Sequence, residues 1–144
     1  MKAVIQRVQR ATVRSGELEA SISPGLLVLV GLETGDTEET CAWGAAKLAT
    51  LRIFEDADGK MNLGLQEVGG EILAVSQFTL AGSIARGRRP SFDGAMNPEA
   101  ARVLFRRFLE LLRAQYPRVK SGFFQEHMEV ELVNDGPVTF ILER

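Results

Sequence analysis

Ser76-Gln77-Phe78-Thr79-Leu80 stands at the end of the apolar run Glu71-Ile72-Leu73-Ala74-Val75. Hydroxyl and amide side chains placed where a buried strand runs out can present chemistry to a cleft. The same residues also suit a plain strand exit, with the hydroxyls satisfied by backbone. What they can do is limited by the rest of the chain, which holds one histidine, His127, and one cysteine, Cys41. A four-ligand structural zinc site cannot be assembled from that supply. A Ser-His-Asp or Cys-His arrangement would have to recruit His127, which reads as a surface or boundary residue on a strand approach. Neither G-x-x-x-x-G-K-S/T nor G-x-G-x-x-G occurs, so the two glycine-rich phosphate cradles are missing. Asp56-Ala57-Asp58-Gly59 superficially suggests a calcium loop, but its glycine comes too early and the later ligands are absent. No metal and no cofactor is expected. An enzyme built from these residues works with backbone N–H donors, hydroxyls and groups of the substrate itself.

A second candidate is Asn134-Asp135-Gly136-Pro137-Val138-Thr139. Met128, Val130 and Leu132 share one face before it, and Val138, Phe140 and Leu142 share one face after it. That pattern predicts a β-hairpin with Asp-Gly in the turn. Pro137 breaks the rule, because it would occupy the position that donates the closing N–H. A type II turn starting at Gly136 would force β-branched Val138 to positive φ. A type VI turn with cis proline and an irregular loop both remain. Local rule-breaking of this kind is expected at functional sites.

The third candidate is Arg86-Gly87-Arg88-Arg89-Pro90-Ser91-Phe92, a basic loop whose guanidinium forks suit phosphate. The whole chain carries a net charge of −2, which by itself argues against nucleic acid. The charge is uneven, however. Gly82 to Lys120 holds nine Lys/Arg against three Asp/Glu, and the remainder holds eight against sixteen. A basic third on an acidic protein is either a phosphate-binding face or an ordinary solvated one.

These groups need a scaffold. At 144 residues, 45% hydrophobic and 25% charged, the chain fits one globular domain spanning 1–144. Its longest apolar run, Leu26 to Val30, is too short to cross a membrane, and the first residues lack a signal peptide's apolar region. A lone cysteine suits a reducing cytoplasm. Alternation predicts a strand from Lys2 to Arg14, with Arg7 as a snorkelling surface side chain, then Leu18–Ile22 and Leu26–Leu32. A helix is predicted from Thr37 to about Leu51, capped by Asp36 with Glu39. Asp56–Gly59 reads as a hairpin turn. Asn97-Pro98 opens a second helix with Leu104, Phe108, Leu111 and Leu112 buried. The expected fold is α+β: a largely antiparallel sheet, barrel-like in its core, with two main helices.

Ser76–Leu80 and Asn134–Thr139 together resemble the motifs of the D-aminoacyl-tRNA deacylase family. The resemblance spans essentially the whole chain, including Gln6-Arg7-Val8, Leu51-Arg52-Ile53-Phe54, Gly59-Lys60-Met61-Asn62 and Gly87–Phe92. It implies a deacylase-type fold and chiral proofreading in translation: hydrolysis of the ester of D-aminoacyl-tRNA, and of glycyl-tRNA, with L-aminoacyl-tRNA rejected. It implies a homodimer with aminoacyl-tRNA as its RNA partner, no DNA partner and no membrane. Each site would join Ser76, Gln77, Phe78 and Thr79 of one subunit to the Gly136-Pro137 tip of the other. In the family that bond is cis, its carbonyls hold the substrate's amino group, and Arg7 braces the tip. Asn134 and Met128 would complete the substrate side, and Arg86, Arg88 and Arg89 would meet tRNA phosphates. The N–H groups of Phe78 and Thr79 would bind the oxyanion. Two departures stand out: Ala85 where relatives often carry a basic residue, and Phe124-Gln125-Glu126-His127-Met128 where they favour small residues and an aspartate. A catalytically silent tRNA-binding module is the alternative.

Overall fold

The computed structural model describes residues 1–144. Its strands are β1 (Lys2–Ser15), β2 (Leu18–Ile22), β3 (Gly25–Gly31), β4 (Phe54–Glu55), β5 (Met61–Leu63), β6 (Glu71–Ser76), β7 (Val119–Ser121) and β8 (Glu129–Glu143). Its helices are α1 (Glu38–Thr50), the one-turn α2 (Leu65–Val68) and α3 (Pro98–Gln115), with a 3₁₀ turn at Phe78–Ala81. The main sheet runs β2-β1-β3-β6-β7, and β8 lies along the other edge of β1. No helix is long and apolar enough to cross a membrane.

The α+β reading holds, and the sheet is mixed and nearly closed into a barrel. β1 pairs antiparallel with β2, β3 and β8, but β3–β6 and β6–β7 are parallel. The parallel pairs arise because α1 and α3 carry the chain back over one face between successive strands. In the sequence this β–α–β alternation is masked, because the small β4–β5 hairpin and the basic loop interrupt it. Lys120 Nζ donates to Ser21 O at 2.6 Å, tying β7 to β2 across the seam.

Alternation along the strands feeds two cores. Leu26, Val28, Val30, Ile72 and Ala74 face the helices, in a cluster with Cys41, Leu48, Phe105, Phe108 and Leu112. Leu27, Leu73 and Val75 face inward with Val8, Ala11, Val13 and Ile22. β1 changes face midway: Ala3 and Ile5 serve the helix side, while Ala11 and Val13 serve the interior. A bulge explains the change. Val8 pairs Asn134 and Arg10 pairs Val133, leaving Gln9 as an extra residue, and one extra residue inverts the alternation beyond it.

The helices form where the caps allow. α1 is capped by Thr37, not Asp36: Thr37 Oγ1 accepts from Thr40 N, and Thr40 Oγ1 accepts from Thr37 N. Asp36 is instead drawn to the Met1 ammonium at 2.6 Å. α3 starts at Asn97 and Pro98 as expected. Its fully buried stripe is Phe105, Phe108, Leu109 and Leu112, the i, i+3, i+4, i+7 pattern of an amphipathic helix. Leu104 and Leu111, expected inside, are half-buried. Each fully buried side chain of this kind contributes about 1.5–3 kcal/mol. Cys41 lies in this core, where burial, helped by the charge of Asp36, pushes its thiol up to about 11. It is a packing residue and not a nucleophile at neutral pH.

Gly25 sets how closely β3 and β6 approach at their starts. A Cβ there would lie 1.9 Å from the backbone oxygen of Glu71. Gly25→Ala is therefore expected to cost about 2 kcal/mol or more through forced strand displacement, read as a lowered urea midpoint at unchanged slope.

Candidate active site

β6 delivers Ser76 to the carboxyl end of the parallel strands, next to Val30 of β3. Gln77 N extends the ladder by donating to Val30 O at 2.7 Å. The chain then tightens into the 3₁₀ turn, whose first closing bond runs from Leu80 N to Gln77 O at 3.2 Å. The N–H groups of Phe78 and Thr79 precede that bond and are not used by the turn. Gln77 Nε2 donates to Thr79 Oγ1 at 2.5 Å, fixing the hydroxyl while leaving both side chains partly or fully open to solvent. The only side-chain partner of the Thr79 hydroxyl is Gln77, and neither His127 nor any carboxylate is bonded to it.

Ser76, Gln77 and Phe78 open onto a cavity of about 320 Å³. Val30, Met96, Phe105 and Phe124 give it an apolar floor, and Met128 and His127 stand at its side. Met96 and Phe105 carry no sequence signal for the cavity, because each reads as ordinary core spacing. The departing segment Phe124–Met128 does form the rim. Arg102 lies 5.0 Å over the Phe124 ring and donates to Gln125 Oε1 at 2.6 Å. Met128 Sδ accepts from Phe123 N at 3.3 Å. No group of three or more His, Cys, Asp or Glu is positioned to hold a metal ion.

The predicted C-terminal hairpin is not one. Its two arms do not pair with each other. They form the single strand β8, antiparallel to β1 throughout. Gln6 pairs Thr139 and Val8 pairs Asn134, so Asp135, Gly136, Pro137 and Val138 together stand opposite Arg7. The alternation on either side of Asp-Gly was real, but both arms spend it on β1. Asn134 closes this wide bulge: its Oδ1 accepts from Val138 N at 2.7 Å and its Nδ2 donates to Val138 O at 3.1 Å. The proline's missing donor is thus bypassed by the next residue. The Gly136–Pro137 bond is cis, and both residues are exposed at the tip.

Arg7 is no snorkelling side chain; it is 4% exposed. Its Nε donates to Asp135 O at 2.9 Å, its Nη1 to Ile53 O at 2.8 Å, and its Nη2 reaches Glu55 Oε1 at 3.3 Å. Asp135 Oδ2 lies 3.5 Å from Nε. One planar fork therefore ties the base of the bulge to β4.

The bulge and the 3₁₀ turn are not brought together within one chain. Arg7 shares its rung with Leu26 and Ile72, whereas Ser76 shares its rung with Val30 and Ala3. Three strand spacings and four rungs separate them along the sheet. Arg86, Arg88 and Arg89 occupy the tip of a loop closed by Ser83 and Ser91, which exchange backbone bonds at 2.7 and 2.9 Å. All three are exposed and none enters an ion pair.

The chain is similar over nearly its whole length to known proteins. The family model described as D-Tyr-tRNA(Tyr) deacylase matches residues 4–143. A relative from Geobacter sulfurreducens, named D-aminoacyl-tRNA deacylase, is 58% identical over 144 residues, covering 99% of this chain and 95% of its own. A solved structure named c-Myc DNA Unwinding Element Binding Protein is 41% identical, with a TM-score of 0.93 over 100% of this chain and 99% of its own. Another, described as a probable eukaryotic D-amino acid tRNA deacylase, has a TM-score of 0.84 over 98% of this chain and 97% of its own; at 17% identity it is a likeness of fold.

Removing the Arg7 fork leaves the carbonyls of Ile53 and Asp135 without their donor. Arg7→Ala is expected to lower unfolding free energy by about 3 kcal/mol, measured by urea denaturation. Arg7→Lys should recover less than half of that, because a single ammonium cannot serve three diverging acceptors.

Proposed function

The chain belongs to the D-Tyr-tRNA(Tyr) deacylase family, and from that premise we propose that it hydrolyses the ester bond of D-aminoacyl-tRNA, releasing free tRNA and the D-amino acid. The observation that carries this reading is the Ser76–Leu80 turn, which offers two N–H groups the turn does not use beside an apolar cavity. The cavity suits the terminal adenosine, with its base over the apolar floor and its ribose towards Ser76 and Gln77. The ester carbonyl then lies at the turn. Water attacks the carbonyl carbon, and the N–H groups of Phe78 and Thr79 stabilise the developing oxyanion. The bond from carbonyl carbon to ribose oxygen breaks, the ribose oxygen takes up a proton, and the amino acid leaves as its carboxylate. Thr79 orients the reacting groups. It lacks a neighbouring base that would make it a nucleophile, and the adjacent ribose hydroxyl is available to assist.

Chiral choice falls to the Gly136–Pro137 tip of a second copy. Its separation from Thr79 in its own chain supports a homodimer in which each tip serves the partner's site. Carbonyls at the tip hold the α-ammonium, a D side chain points outward, and an L side chain meets the tip. Selection by steric rejection needs no grip on the side chain, so many D-amino acids are accepted. Arg86, Arg88 and Arg89 suit tRNA phosphates, and binding weakens with added salt. Translation quality control places this work in the cytoplasm.

One assay tests the reading: the pure protein with matched D- and L-tyrosyl-tRNA. Release from the D form alone supports it; binding without release indicates a silent tRNA-binding module, and release from both indicates an unselective esterase. Because glycine has no side chain to be rejected, glycyl-tRNA should be cleaved at least about a hundredfold faster than L-tyrosyl-tRNA; its full resistance alongside cleavage of D-tyrosyl-tRNA would refute steric rejection. Thr79→Ala should lower single-turnover rates by less than about a hundredfold. A loss on the order of a millionfold, the scale of removing a true nucleophile, would reassign Thr79 to attack.

A further inference from the structure

Phe78 and Phe92 form a surface ring pair beside the turn. Their centroids are 5.1 Å apart at a tilt of 54°, and they are 59% and 40% exposed. Two adjacent aromatic rings left this open make a contiguous exposed apolar patch, the kind of surface that marks an interaction site. Phe78 lines the cavity, and Phe92, which does not, packs against the Phe78 ring from outside it. Phe92 directly follows the Ser83–Ser91 closing pair, so the hairpin that lifts Arg86, Arg88 and Arg89 is rooted at the ring pair. Gly82 makes room for this: a Cβ there would come within 2.8 Å of the Phe92 ring. Asp93, the nearest acidic residue in sequence, accepts from Ser91 Oγ at 2.8 Å, and it pairs with none of the three arginines.

We propose that the Phe78–Phe92 pair is a stacking platform for an unpaired nucleobase of the tRNA 3′ end, one position upstream of the terminal adenosine, with the arginine hairpin receiving the phosphates that follow. The proposal rests on the deacylase reading above and adds to it a site for the next nucleotide. An exposed π-face beside unpaired guanidinium groups fits single-stranded RNA, in which a base and its phosphate follow each other along the strand. A stacked base is accepted whatever its identity, which suits an enzyme that reads the amino acid and not the tRNA. Phe78 borders both the cavity and the platform, so a strand leaving the cavity meets Phe92 next.

The test compares kcat/KM for D-tyrosyl-tRNA with kcat/KM for D-tyrosyl-adenosine, which has no upstream nucleotide. In Phe92→Ala the ratio of tRNA to adenosine substrate should fall about tenfold, within the range for loss of one stacked base. Phe92→Tyr, which keeps the ring, should hold the ratio within about twofold of the parent. Phe92→Leu, which keeps apolar bulk over Gly82, guards against simple loss of fold and should fall with alanine. A ratio unchanged in Phe92→Ala and Phe92→Leu would overturn the proposal, including the case where both substrates slow together because the turn has merely shifted. An unchanged ratio with a shift in elution volume would put a second copy on the rings instead, and also overturns it. If the parent protein cleaves neither substrate, the deacylase reading itself fails.

Discussion

A buried guanidinium needs acceptors on every side, and Arg7 finds them in three different stretches of chain. Its position on β1 is inside the sheet, where a strand neighbour would normally present another apolar side chain. Instead β8 swings outward for four residues, and the carbonyl of Asp135 turns back to meet the fork. The carbonyl of Ile53 and the carboxylate of Glu55 complete the set. Between the ladder pairs that flank it, Arg7 is what ties the bulge to β4, since the Asn134 side chain bonds only across the bulge itself. An unpaired guanidinium there would in turn carry a large desolvation penalty. Each feature makes the other tolerable.

The rest of the architecture gives that anchored bulge somewhere to be relative to the turn. β1 and β3 place Arg7 and Ser76 on different rungs, and the intervening strands fix their separation. The parallel pair β3–β6 brings the Ser76–Leu80 turn to the carboxyl end of the strands, where α3 and the Phe124–Met128 segment line the cavity. In the proposed reaction these are two halves of one site, supplied by two copies. A rigid strand system suits this, because a rejecting element has to hold its position against the side chain that it excludes.

The economy of the proposed reaction follows from what the chain lacks. With Cys41 buried and its thiol pushed up to about 11, and with no base bonded to Thr79, side-chain chemistry is sparse. Backbone N–H groups at a tight turn are pre-aimed and need no protonation state, so they serve well where charge develops on one oxygen.

Much of this was legible in the residues. The strand and helix segments, the Asn97 cap with Pro98 opening the helix, and the α+β class all follow from local pattern. Those signals are short-range, and short-range physics produces them. Pairing partners are a different matter. The two arms flanking Asp135-Gly136 carry the same alternation whether they pair with each other or with a third strand, and only the folded sheet gave them both to β1. The inverted phase of β1 beyond Gln9, the burial of Arg7, the loss of Asp36 from its cap to the Met1 ammonium, and the cavity lined by Phe124 are likewise set by neighbours distant in sequence. Alternation says which side chains seek cover, whereas tertiary packing decides what covers them.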